Sequence, residues 1–76
     1  MIQEIAQKVR DAALDKRKIA MLHYQVLIHA QELDGINPDD FCKEIGVSIK
    51  YATEFRKMLS LARLMRELGA EVIQPK

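Results

Sequence analysis

The chain has 76 residues, enough for one domain at most, and a chain this short buries only about 60% of the surface that its unfolded form exposes. At 49% hydrophobic and 30% charged residues it has the balance of a folded chain, which excludes a disordered tail, and its net charge is only +1. A single cysteine, Cys42, excludes an internal disulfide, and no zinc-ligand spacing can be built around it, so it is expected to be a small core residue.

In chain order, Ile2, Ile5, Val9 and Ala12 or Ala13 recur at spacings of three and four, which predicts a first helix over about 2–14. No continuous apolar stretch precedes Asp11, so no signal peptide is expected. Apolar runs such as Val26-Leu27-Ile28 fall far short of a membrane span, and the expected location is cytoplasmic. Ile19, Leu22, Val26, Ala30 and Leu33 make a second stripe, predicting a helix over 16–33. Asp15 is the expected N-cap between the two, with Leu14 and Ile19 as a hydrophobic staple. Lys16, Arg17 and Lys18 oppose the helix dipole there, and one bent helix over 2–33 is the alternative.

The next boundary is better marked. Gly35 can end a helix, and Asn37-Pro38-Asp39-Asp40 supplies an N-cap, a proline at the first helical position and two carboxylates at the positive end of the dipole. A short helix over 38–45 is predicted, carrying Phe41, Cys42 and Ile45 and stopping at Gly46. Ser48 then caps a last helix over 49–68 that ends at Gly69, and the tail 70–76, with Pro75, is expected to fray. The expected fold is therefore all-α: a single domain over 1–76 with four helices, or three if the first two merge.

Residues 37–68 meet the requirements of a helix-turn-helix. Gly46 is the turn residue, Cys42 the small residue four before it, and Ile45 and Val47 flank the turn. Ala52 and Phe55 sit six and nine residues beyond the glycine, where they pin the second helix to the first. Charge supports the same segment. From Ser48 to Arg66 there are five cations against one carboxylate, a local +4, which leaves −3 for the rest of the chain. DNA is the expected partner. Ser48 and the helix N-terminus would take a phosphate, Lys50 and Thr53 would touch base edges, with Ile49 on a thymine methyl or packed at the turn. Arg56, Lys57 and Arg63 would clamp phosphates. Glu54 could accept from a cytosine amino group, but its offsets to Lys50 and Lys57 favour pairing within the helix.

The last helix is longer than DNA reading needs. Met58, Leu61, Leu64, Met65 and Leu68 spread over a second apolar arc, for which a second copy of the chain is the expected cover; residues Ile2–Val9 wrapping back are the alternative. No catalytic, cofactor or metal role is expected. His23 and His29 are six residues apart, off one helix face, with His29 on the apolar side; Cys42 has no base near it in sequence, and no Gly-rich phosphate loop is present. A protein-interaction module, or a small accessory protein of a mobile element acting without DNA, is the competing reading.

Two segments carry a resemblance: Ala30-Gln31-Glu32-Leu33-Asp34-Gly35, and the more specific Gly46-Val47-Ser48-Ile49-Lys50-Tyr51-Ala52-Thr53-Glu54. The stretch around them, Met21–Met65, resembles small bacterial proteins grouped as HTH-like domain proteins. The resemblance implies a compact helical domain that binds DNA, often encoded among accessory or mobile genes, and it supplies no operator. If Tyr51 and Glu54 belong to the family pattern, it implies that they serve the fold more than they read sequence.

Overall fold

The computed structural model describes residues 1–70. The described chain is all-helical: α1 (Ile2–Ala13), α2 (Lys18–Ile28), α3 (Ala30–Leu33), α4 (Pro38–Ile45), a 3-10 turn (Ile49–Tyr51) and α5 (Ala52–Glu67). The tail expected to fray lies, beyond Ala70, outside the described residues.

The break after α1 is real, but Asp15 does not make it. Lys16 adopts a left-handed conformation (φ 59°), and it closes α1 with two backbone bonds, Lys16 N–H to the Ala13 carbonyl and Arg17 N–H to the Ala12 carbonyl. α2 then starts at Lys18 behind Arg17, with no side-chain cap. Leu14 is 86% exposed and Ile19 lies at the surface, so the expected staple is absent. A non-glycine residue in this conformation gives no compositional signal, so the sequence points to Asp15 and not to Lys16.

The helix expected over 16–33 is two helices. At His29 the backbone leaves the helical region (φ −108°, ψ 17°), and α3 turns so that it packs on α5. The bend keeps Ala30 and Leu33 buried, and Leu33 is fully enclosed. Of the predicted stripe Leu22, Val26, Ala30 and Leu33 are core, and Ile19 is not.

α4 forms where the capping signals place it. The Asn37 side chain accepts from the Asp39 and Asp40 N–H groups at 2.9 and 3.1 Å. At the other end Gly46 (φ 81°) donates to the Lys43 carbonyl while Val47 donates to that of Cys42, and the buried Val47 folds back over Cys42.

The helices pack as a ring. α1 touches α2 and α4, and α5 touches α2, α3 and α4; α1 and α5 make no contact. The centre of the ring is filled by Ile5, Val9, Leu22, Val26, Leu33, Ile45 and the stacked rings of Phe41 and Phe55, whose centroids lie 4.4 Å apart. Ala52 and Phe55 face this core, as the helix-turn-helix pattern requires. Wrapping of Ile2–Val9 onto the last helix is therefore not what the chain does: Ile5, Ala6 and Val9 are spent on α2 and α4.

Candidate nucleic-acid interface

The turn between α4 and α5 is built locally. The Ser48 hydroxyl accepts from the Lys50 N–H at 3.3 Å and its carbonyl from the Tyr51 N–H at 3.0 Å. These bonds wind residues 49–51 as a tight 3-10 turn before α5 starts at Ala52, a correction to the single helix expected over 49–68. Ser48, Ile49, Lys50, Thr53, Arg56, Lys57 and Arg63 are all exposed, with Ile49 at 55%.

Glu54 is the one carboxylate of this surface, and it is turned aside. Its Oε2 lies 3.1 Å from His23 Nε2 on α2, and its Oε1 lies 3.9 Å from Lys57 Nζ one turn on. Both His23 and Glu54 are about one-third exposed. Lys57 was an expected partner and is present at long range; Lys50 was the other and is instead over the Tyr51 ring, 5.3 Å from its centroid. The His23 contact was not legible, because it spans 31 residues and depends on how α2 docks on α5. Glu54 also sits in the first turn of α5, where the helix dipole favours a negative charge.

Arg63 is drawn to the flank, 4.0 Å from the exposed Asp34 in the loop after α3. Arg56 has no carboxylate within ion-pair distance among the described residues. His29 is half-buried at the bend. Cys42 is buried, and burial, reinforced by the charge of Asp39, pushes its thiol above its ordinary value.

The second arc of α5 divides. Met58 packs on the edge of the core, and Met65 is half-buried. Leu61 (40% exposed), Leu64 (48%) and Leu68 (75%) face outward, with no described element over them. Met58 is therefore largely a core-edge residue, not part of the outward strip. Along one face of α5 the exposed residues run Thr53, Lys57, Leu61, Leu64 and on to Leu68, polar for two turns and apolar for the next two.

A short helix, a glycine turn and a longer, outward-facing helix pinned by Ala52 and Phe55 define a helix-turn-helix-like domain. The family described as HTH-like domain matches the chain over residues 1–67, and the chain belongs to it. Searches of curated proteins and of solved structures find no match. No described helix is long and apolar enough to cross a membrane.

Proposed function

We propose that the chain is a non-enzymatic DNA-binding protein that docks the surface from Ser48 to Lys57 on duplex DNA and works as a homodimer. The observation that carries the reading is the disposal of Glu54: held by His23, it leaves Lys50, Thr53 and Arg56 as an exposed surface without an opposing charge directed at a ligand, with Lys57 beside them in only a long 3.9 Å contact with Glu54. Lys50 and Thr53 then reach base edges, Arg56 and Lys57 meet phosphates, and Ser48 positions the turn against the backbone. Arg63 contributes only after leaving Asp34.

The dimer follows from the split face of α5. Leu61, Leu64 and Leu68, with Met65 beside them, form an apolar strip that a two-fold copy of itself can cover. At about 1.5 Å per residue, Thr53 lies roughly 16 Å along the helix from Leu64. An antiparallel pair with its axis at Leu64 sets the two Thr53 positions up to about 33 Å apart, close to one turn of DNA at about 34 Å.

The test is binding to random and genomic duplexes across a salt series, with light scattering on the free protein. Six phosphate contacts in a dimer predict about a thousandfold loss of affinity between 50 and 200 mM salt. Lys50→Glu with Lys57→Glu abolishes binding without unfolding, and Leu64→Glu gives a monomer. Absence of any complex at low salt refutes the DNA reading. The same exposed leucines favour a second reading, a module that grips an apolar partner helix; a strictly monomeric protein that binds no DNA leaves that one standing.

A further inference from the structure

We propose that Lys18 and Tyr51, beside Lys50, form a phosphodiester-binding site on the α2 side of the turn, so that DNA is held by α2 as well as by α5; this rests on the DNA-binding reading above. Lys18 opens α2 and Lys50 lies in the 3-10 turn, 32 residues later. Their ammonium groups converge on one ring, 5.9 Å (Lys18) and 5.3 Å (Lys50) from the Tyr51 centroid, so no more than about 11 Å separates them. Each is attracted by the ring's electron-rich face, yet the two repel each other. Neither has a carboxylate within ion-pair distance among the described residues.

Tyr51 is the fixed point of the cluster. Its ring is half-buried against the core, which holds it still, and its hydroxyl makes no hydrogen bond within the described chain, leaving a donor for a phosphate oxygen. The charges next to Lys18 are mainly positive, with Asp15 just before them and Glu54 turned to His23 and Lys57. Lys16 and Arg17 precede Lys18, and the first turn of α2 contains no acidic residue. Three cations at the positive end of a helix work against the isolated domain, and a bound anion relieves that repulsion. The ligand chemistry this selects is a phosphodiester reached from two elements at once, beside the turn that carries Ser48 and Thr53. The site adds affinity and fixes the angle of docking without reading a base.

The experiment measures binding of the full chain to a random 20-base-pair duplex by fluorescence anisotropy, from 50 to 200 mM salt. The variants are Lys18→Gln, Tyr51→Phe, Lys18→Arg and, as a control on α1, Lys8→Gln. Loss of one phosphate contact reduces the salt slope by about 0.9 per protomer, so Lys18→Gln should lose about 3.5-fold less affinity than wild type over this range per contact removed. Lys18→Arg should restore the wild-type slope, Tyr51→Phe should weaken binding equally on all sequences, and Lys8→Gln should change nothing. Circular dichroism confirms that each variant is folded. If wild type binds DNA and Lys18→Gln keeps its slope, or shifts it no more than Lys8→Gln, the α2 site is refuted while the DNA reading stands. If wild type binds no duplex at 50 mM salt, both fall.

Discussion

Three described positions occupy the same place in the same backbone motif, Gly46 and Gly69 with glycine and Lys16 with lysine, and exchanging the character of Gly46 and Lys16 isolates the energy of a single conformation. Gly46 closes α4 at φ 81° and Lys16 closes α1 at φ 59°, each through a pair of backbone bonds to the preceding turn. A Cβ placed on Gly46 meets nothing within 4 Å, so Gly46→Ala carries no clash and costs only the left-handed conformation, about 1–2 kcal/mol. Stiffening of the unfolded chain returns about 0.4–1 kcal/mol, leaving a net loss near 1 kcal/mol. Lys16→Gly runs the other way: relief of the same strain, less about 0.5–1 kcal/mol of glycine entropy, gives a net gain of roughly 0.5–1 kcal/mol. In a domain of this size each kcal/mol moves Tm by about 4–8 °C, so thermal melts followed by circular dichroism resolve both changes. A Gly46→Ala loss above about 3 kcal/mol would show that packing, not backbone strain, dominates at the turn. A Lys16→Gly variant no more stable than wild type would show that Lys16 is held there without strain.

The remaining expectations are simpler. Phe55→Ala removes half of the central ring stack and should cost about 3–5 kcal/mol against a total of roughly 4–11 for 76 residues, a large share of the whole, read by urea titration as a strongly lowered midpoint. Cys42 should resist thiol reagents until the protein unfolds, because it is buried and its thiol is raised by burial and then by Asp39. The unfolded thiol ionises from its ordinary 9.0 upward while the native one stays protonated, so stability should fall as pH rises through 9; a flat profile from pH 8 to 10 refutes this for Cys42. Glu54→Gln should change stability by less than about 1 kcal/mol, since its pair with His23 is partly exposed, and should tighten DNA binding by removing the one acidic group near the proposed surface.

Much of the fold was legible because its signals are local. Asn37 caps α4, Gly46 ends it, and Ala52 and Phe55 fall on the buried side of α5, all within a few residues of the features that dictate them. The same holds for the exposure of Lys50, Thr53 and Lys57, which helical periodicity places opposite Phe55. The two departures have different causes: a non-glycine residue at a left-handed position leaves no mark in the composition, and the packing of α3 on α5 is not local. Asp15 has the composition of a cap, but the chain turns at Lys16; the stripe through Leu33 has helical spacing, but docking on α5 bends it at His29.

The sequence by itself determined that this is one small helical domain with a glycine turn between residues 37 and 68 and with more apolar surface on its last helix than one core needs. Periodicity, capping and charge are properties of neighbouring residues, so they survive without a structure. Only the tertiary structure decided what α1 covers and what Glu54 faces. It likewise decided that Lys18 and Lys50 both lie over the Tyr51 ring and that Met58 belongs to the core edge while Leu61, Leu64 and Leu68 remain open. Each of those contacts joins residues far apart in the chain, and which of them form is fixed by how four helices close into a ring around two phenylalanines.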